Sequence, residues 1–390
     1  MKIIHTSDWH IGRRFERESM EAEQRAFLVW LAGQVTEHRV DLVIVAGDIY
    51  DRSMPAEDAV ALLDEGLEGL LAAGAVVALI SGNHDSARRL GFGAARQARG
   101  GVHVFADDQG QPVPWIFAAG AERVAVLAVP FLDPYAVPAP HPEIDGSVRT
   151  RTHQNVLADA VEAGRAHLDP DDPVPTICVA HAYVAGGVNS ESERILSIGG
   201  TDLVDAAVLA GFDYVALGHL HRPQRIGGDD TVAYSGSPLP YSFSEDHPKS
   251  VRLLDVDASG LTGVRTLSVP VGRPVVTLTG TLDQLLVDPA HDRYVGHWVS
   301  ARLTDATVQT QPMERLRVRF PHAVSLRYMP AGLETGAPIS SGPGRTALED
   351  QPKEDVIVEF LTELRQDAPT ESERDMIRDA LAGALRSADA

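Results

Sequence analysis

Up to about residue 220 the chain alternates short apolar runs with longer stretches in which apolar positions recur at helical spacing. Residues 2–6, 42–46, 76–80, 124–129, 177–180 and 214–217 are rich in Val, Ile and Leu, the pattern of strands covered on both faces. Between the first two, Phe27, Leu28, Leu31 and Val35 fall on one face of a predicted helix, with Trp30 nearby. Such alternation predicts an α/β layered fold whose sheet carries helices on its faces. From 231 to 269 the pattern turns to short strands and turns, which predicts a second, antiparallel sheet.

The punctuation at Val271-Gly272-Arg273-Pro274 marks a boundary after a catalytic-sized domain, 1–270. Beyond it, 275–278, 281–287, 297–303 and 323–327 suit a small α+β module spanning 271–330. Within that module Leu316, Val318 and Phe320 alternate with arginines as a strand would. Met313, Leu316 and Phe320 also fit a helix entered at Pro312, which is the preferred reading. The Gly- and Pro-rich stretch 331–353 reads as a flexible linker. In 354–390, Val356, Ile357, Phe360, Leu361 and Leu364 line one helix. A second opens with a capping box from Thr370 to Glu373 and continues through Met376, Ile377, Ala380, Leu381 and Leu385. Two amphipathic helices on a tether either fold back on their own domain or dock on a partner.

Length and composition narrow the class. With 390 residues, 44% of them hydrophobic and 23% charged, the chain supports several cores and is not disordered overall. Its longest uncharged apolar stretch, 69–80, is too short to span a bilayer. The N-terminus runs straight into His5-Thr6-Ser7-Asp8 without a leader pattern, and Cys178 is the single cysteine, inside the apolar run 176–180. These features predict a cytoplasmic protein with a buried structural thiol.

Charge complicates any polyanion partner: 34 basic against 55 acidic residues leave −21. The distribution is uneven, however. Residues 331–390 hold 13 acids and 6 bases, whereas 291–330 carry Arg293, Arg302, Arg315, Arg317, Arg319 and Arg327 against three acids. Arg88, Arg89, Arg96 and Arg99 form another basic stretch.

Five polar clusters follow predicted strands: Asp8-Trp9-His10, Gly47-Asp48, Gly82-Asn83-His84-Asp85, His181, and Gly218-His219-Leu220-His221. Loops at the carboxyl ends of α/β strands converge on one crevice, so these segments can share a pocket. Carboxylate, imidazole and amide oxygen without thiolate suit a divalent metal. If the strands continue, Asp8 and His10 point the same way, as do His219 and His221. Glycines 47, 82 and 218 are expected to allow tight turns there. A carboxylate such as Asp48 can bridge two cations, and two cations together clamp a phosphoryl group and activate water. The ten other histidines read as solvated or hydrogen-bonded, with His5 close enough to lie behind the site.

The five clusters resemble the calcineurin-like metallophosphoesterase superfamily. The runs Ile4-His5-Thr6-Ser7-Asp8-Trp9-His10-Ile11-Gly12 and Tyr234-Ser235-Gly236-Ser237-Pro238-Leu239-Pro240-Tyr241-Ser242-Phe243-Ser244-Glu245 resemble, more narrowly, the SbcD-type nuclease subunits of bacterial SbcC–SbcD complexes. The resemblance implies a two-sheet α/β sandwich of the metallophosphoesterase type, a small capping domain that contacts DNA, and C-terminal helices. It implies one metal on Asp8, His10, Asp48 and His221, and a second on Asp48, Asn83, His181 and His219, both expected to be manganese. His84 would act as the catalytic histidine, with Asp85 orienting it. Asp51 is left outside the core site. Arg13, Arg14, Arg88, Arg89, Arg315, Arg317 and Arg319 are the candidate DNA contacts, through bidentate pairing with phosphate.

The implied activity is metal-dependent cleavage of DNA, as double-strand exonuclease and single-strand or hairpin endonuclease, in repair, recombination and replication-linked hairpin processing. The implied partners are DNA and an SbcC-type coiled-coil ATPase docked on the helices of 354–387. A homodimer within a heterotetramer is expected, made through catalytic-domain helices that include 19–38. No membrane partner is expected, and the protein would be nucleoid-associated when acting. Two alternatives keep the fold: a stand-alone phosphoesterase on small diesters or monoesters, and a non-catalytic scaffold. The second would tolerate loss of ligands, yet all seven and His84 are present.

Overall fold

The structure, a computed structural model, describes residues 1–106, 109–137, 151–193, 203–329, 370–374 and 376. Strands β1 (Lys2–Thr6), β2 (Leu42–Val45), β3 (Val76–Ile80) and β4 (Val102–Phe105) run parallel. Strand β5 (Trp115–Ala119) pairs antiparallel with β6 (Glu122–Val129). Parallel to β6 run β7 (Thr176–His181), β8 (Tyr214–Gly218) and, past the short β9 (Gln224–Arg225), β10 (Val232–Tyr234). The second sheet thus has the order β9-β10-β8-β7-β6-β5. The hairpin β11 (Ser250–Asp257) and β12 (Gly260–Ser268) returns to the first sheet, where β11 pairs antiparallel with β1. That sheet reads β12-β11-β1-β2-β3-β4.

The expected separate antiparallel sheet over 231–269 does not form. Its residues extend two largely parallel sheets at their edges, because β11 presents Val251 and Leu253 to one face and Leu254 and Val256 to the other. A strand apolar on both faces is stabilised where both are covered.

Three apolar interfaces between four layers explain the strand patterns. Ile3, Leu42, Ile44 and Ile80 of the first sheet meet Val124, Val126, Ile177 and Val179 of the second in a dry interlayer. Their neighbours Ile4, Val43, Val45 and Leu79 face α1 (Glu21–His38) and α2 (Glu57–Ala72), which bury Phe27, Leu28, Leu31, Val35 and Leu62. Outside the second sheet, Leu127, Cys178 and Leu217 pack on α3 (His153–Arg165) through Leu157 and Val161. Truncating any such interior leucine to alanine costs about 2–5 kcal/mol.

Residues 271–329 form a βαβαβ unit. Strands β13 (Val275–Gly280), β14 (Trp298–Leu303) and β15 (Ala323–Tyr328) are parallel, with α4 (Leu282–Val287) and α5 (Pro312–Arg319) between them. The helix entered at Pro312 therefore forms. It wins over a strand because Leu316 is buried against Leu282, Leu285 and Val299, whereas Val318 remains 87% exposed. The opposite face of this sheet seats on the catalytic body. Trp298 stacks on Phe15 with ring centroids 5.4 Å apart, and Val275, Met20, Leu239 and Tyr241 close around them.

The chain divides into two units, 1–330 and 331–390. The linker expected over 331–353 and the first helix expected in 354–390 lie outside the described residues, as does most of the expected second helix. Its start is described: the backbone N–H of Thr370 donates to Glu373 at 2.8 Å and that of Glu373 donates back to the Thr370 hydroxyl at 3.4 Å, the expected capping box.

Candidate metal centre

All five polar clusters sit at the carboxyl ends of β1, β2, β3, β7 and β8, and their side chains are buried or nearly so. Beyond β1 the backbone hooks sharply. Asp8 and His10 adopt left-handed conformations (φ 53° and 43°), as does Asp48 (φ 51°), while His219 has φ 107°. Asp8 and His10 thus do not reach the site as alternate residues of an extended strand, which ends at Thr6; nor do His219 and His221, past the end of β8 at Gly218. Left-handed backbone in a non-glycine residue costs of order 1–3 kcal/mol and persists only where surrounding structure enforces it. Here the enforcement is visible: Asp8 N–H donates to Gly47 O and His10 N–H to Asp48 O, both at 3.0 Å, while His219 N–H donates to Asp8 Oδ1 at 3.0 Å.

The glycines serve two needs rather than one. Gly47 takes φ +91°, a true turn. Gly218 does not; a Cβ there would lie 1.8 Å from Ala46 O, so glycine is required for the two sheets to approach at the crevice.

The clusters assemble into two groups around Asp48. On one side His10 Nε2 lies 3.1 Å from His221 Nε2 and 3.6 Å from Asp48 Oδ2, and the ligand atoms of Asp8, His10 and His221 all fall within 4.8 Å of one another. On the other, His181 Nε2 lies 2.9 Å from Asn83 Oδ1 and 3.5 Å from the same Asp48 Oδ2, and His219 Nδ1 lies 3.1 Å from Asn83 Oδ1. His181 Nδ1 donates to Ala46 O at 2.9 Å, which turns Nε2 inward.

Burial disfavours charge throughout, and the outcome differs by neighbour. Burial lowers His219 to about 3 and lowers His10 well below the ordinary imidazole range. His181 feels the same burial, but Asp48 and Asp8 outweigh it and raise it to about 9. Burial raises Asp8 to about 6, whereas the surrounding histidines hold Asp48 well below the usual carboxylate range in spite of burial. Imidazoles whose ring nitrogens converge on one another and on carboxylate and amide oxygens are a donor set made for divalent cations. His10 Nδ1 is buried with no hydrogen-bond partner, its nearest charged neighbour being Asp51 Oδ1 at 3.7 Å. The residues fit a metal pair.

His84 stands at the rim of the first group, its ring edge-on to His10 with centroids 4.6 Å apart. Its Nδ1–H donates to the carbonyl of Asp51 at 2.8 Å, and its backbone N–H to Asp48 Oδ1 at 2.8 Å. The Asp51 carbonyl thus fixes one side of the His84 ring. Asp85 accepts the backbone N–H groups of Ile49, Tyr50 and Gly82 at 2.9–3.0 Å, clamping two of the loops together. Asp51 also pairs with Arg13 at 2.9 Å.

Known proteins resemble this chain over most of its length. The Calcineurin-like phosphoesterase profile matches residues 1–223, and the profile described as Type 5 capsule protein repressor C-terminal domain (SbcD_C) matches 271–365. The chain is 32% identical over 342 residues to the SbcD subunit of nuclease SbcCD from Escherichia coli K12, covering 82% of this chain and 85% of that one, and the same holds for the protein of E. coli O157:H7. The chain belongs to the SbcD family of calcineurin-like phosphoesterases. Among solved structures, a dimetal phosphatase from Danio rerio aligns over 69% of this chain and 98% of its own at 15% identity and a TM-score of 0.39, too distant to add to this.

The arginines expected to meet DNA are engaged differently from what their clustering along the SbcD-family sequence suggests. Arg319 is tied to Leu285 O, Asp288 O and Asp292 at 2.6–2.8 Å, holding α4 to the turn after it. Arg315 pairs with Asp283, and Arg317 donates to Ala323 O. Arg14 donates to Arg17 O and Arg89 to Ser53 O, while Arg88 is exposed. Two further arginines of the basic stretch 291–330 are placed differently. Arg302 and Arg327 are register partners on β14 and β15, exposed on the sheet face away from α4 and α5. With Thr277, Ser300, Ser325 and the acidic Glu16 and Glu191 they line a cleft of about 220 Å³ shared with Phe15 and Tyr241, the latter 5.2 Å from the His10 ring.

Overlooked in the sequence are Ser192, Glu193 and Glu245. Glu193 Oε1 accepts the N–H of His221 at 2.7 Å, and Ser192 and Glu245 meet the ring of the same histidine. Only Glu245 carries a signal, as the last residue of the run 234–245.

Proposed function

We propose that the chain is the nuclease subunit of an SbcC–SbcD-type assembly, hydrolysing DNA phosphodiesters at a centre built for two divalent cations. The observation that carries this is the position of Asp48 Oδ2, 3.6 Å from His10 and 3.5 Å from His181, between two separate sets of imidazoles. Asp8, His10, Asp48 and His221 would hold one cation and Asp48, Asn83, His181 and His219 the other, with manganese the expected metal. When bound, the pair supplies positive charge against the phosphoryl oxygens and lowers the pKa of water at the site.

The protein's own groups do the rest. Water oxygen attacks phosphorus in line as it gives up a proton to solvent, and the bond from phosphorus to the leaving oxygen breaks. His84 delivers a proton to that oxygen from Nε2, because Nδ1–H is held by the Asp51 carbonyl. Asp85 keeps the loops carrying Asp48 and His84 at fixed separation through its three backbone bonds. Arg302 and Arg327 receive the strand's phosphates beside Tyr241 by bidentate pairing, in a cleft that Glu16 and Glu191 also line.

Exonuclease action on duplex ends, endonuclease action on hairpins and single strands, and a role in repair, recombination and replication follow from the family reading. So do an SbcC-type ATPase docked on the helices of 354–390, a homodimer at the centre of a heterotetramer, and work in the cytoplasm on the nucleoid. Among the described residues no helix is long and apolar enough to cross a membrane. The test incubates the purified chain with linear duplex, hairpin DNA and a chromogenic diester, in manganese, magnesium or chelator, beside Asp48→Ala. Manganese-dependent DNA cleavage absent from Asp48→Ala is expected. Hydrolysis of the chromogenic diester with no DNA cleavage would favour a small-molecule phosphoesterase.

A further inference from the structure

The run 234–245 wraps the metal centre from behind. Ser235 Oγ lies 2.8 Å from Ser7 Oγ, which donates to Asp8 Oδ2 at 2.6 Å. Tyr241 packs edge-on against His10 and His221, with its hydroxyl donating to Trp9 O. At the end of the run, Glu245 is fully buried and ion-paired to Lys249, itself 7% exposed. Glu245 Oε1 lies 3.3 Å from His221 Nδ1 and accepts from Ser192 Oγ, and that hydroxyl is 2.7 Å from the same Nδ1. Since the Ser192 proton goes to the carboxylate, its oxygen accepts from the ring. Lys249 meanwhile donates to His221 O at 3.2 Å and to Ser237 Oγ at 2.9 Å. Side chain and backbone of one histidine are thus anchored by the two ends of one buried ion pair.

Stability alone does not account for such a pair. Desolvating two charges commonly offsets their attraction, and apolar replacements of similar volume are often as stable or more so. What the pair supplies is direction. With Nδ1–H fixed outward, His221 presents Nε2 to His10, the atom that a cation needs.

We propose that Glu245, with Lys249 and Ser192, is a positioning unit that fixes the tautomer and aim of His221 and so sets the affinity of the His10–His221 cation site. This rests on the two-cation reading above, and the experiment separates the two. Manganese binding is titrated calorimetrically and by electron paramagnetic resonance on the full chain, wild type beside Glu245→Gln and Glu245→Gln/Lys249→Met, with folding monitored by circular dichroism. Glutamine keeps the shape but can offer an N–H to Nδ1, which would favour the opposite tautomer. Wild type is expected to bind two manganese ions with spin coupling. Both variants should keep the His181 site, lose about 10–100-fold in affinity at the other, and lose the coupling. The double variant, freed of an unpaired buried lysine, should recover thermal stability but not that affinity. Wild-type affinity at both sites in either folded variant would overturn the inference. A wild-type chain that binds fewer than two ions would overturn the two-cation reading itself, and this inference with it.

Discussion

His10 and His221 present their Nε2 atoms to each other at 3.1 Å in a fully buried setting. With His221 Nδ1–H engaged by Ser192, its Nε2 carries a lone pair, and His10 Nδ1 finds no hydrogen-bond partner. Leaving that one buried nitrogen unpaired costs roughly 1–3 kcal/mol. A cation would bind the two facing Nε2 atoms, and the four kinked backbones at Asp8, His10, Asp48 and His219 hold the geometry ready for it.

Asp48 and His84 should separate metal binding from chemistry. Asp48→Ala removes the oxygen shared by both groups, so manganese measured on the purified protein should fall below one ion per chain. His84→Ala should keep both ions while the cleavage rate drops about 10²–10⁴-fold. Equal metal content in the two variants would contradict this division.

Arg302 and Arg327 should act on DNA and not on small diesters. Replacing both with alanine is expected to raise KM for DNA and to lower the slope of log affinity against log salt by about 2, roughly one per lost phosphate contact. Hydrolysis of a chromogenic diester should be unchanged. The same replacement of Arg315 and Arg317, which bond Asp283 and Ala323 O, should affect the salt slope less.

Two glycine-to-alanine changes should have opposite signs. At Gly218 the added methyl meets the Ala46 carbonyl at 1.8 Å, so unfolding free energy should fall by about 3 kcal/mol or more. At Gly33, an exposed position inside α1 with nothing within 4 Å, alanine should stabilise by about 0.5–1 kcal/mol. Urea denaturation reads both.

Cys178 should be inert in the folded chain. It is fully buried among the residues beneath α3, and burial pushes its thiol up to about 12. A thiol reagent should find no reactive group in native protein and one after denaturation.

Much of this is legible in the sequence, for identifiable reasons. Strands buried on both faces are continuous apolar runs, so β2, β3 and β7 declare themselves, and polar residues at their carboxyl ends point to one crevice. Other features depend on pairing that sequence order hides. β11 contacts β1 across nearly the whole catalytic region, and nothing local says that it joins that sheet rather than forming its own. Arg302 and Arg327 are far apart in the chain and adjacent only through strand register, whereas Arg315 and Arg319 turn to neighbours within their own module and Arg317 meets both Ala323 O and, at 3.8 Å, Glu18 of the catalytic body. The hooks at Asp8 and His10 lack the glycines that usually mark them; their backbone is held by Gly47 O and Asp48 O from another loop. The side chain of Asp51 suggests no role in the core site, yet its backbone carbonyl is what holds His84, and a carbonyl leaves no mark in a sequence.

Anomalous diffraction from manganese-soaked crystals tests the central claim most directly. Two peaks are expected, one bounded by His10 and His221 and the other by Asn83, His181 and His219, with the Asp48 carboxylate between them. A single peak, or manganese bound anywhere that leaves Asp48 without contact to it, would contradict the account.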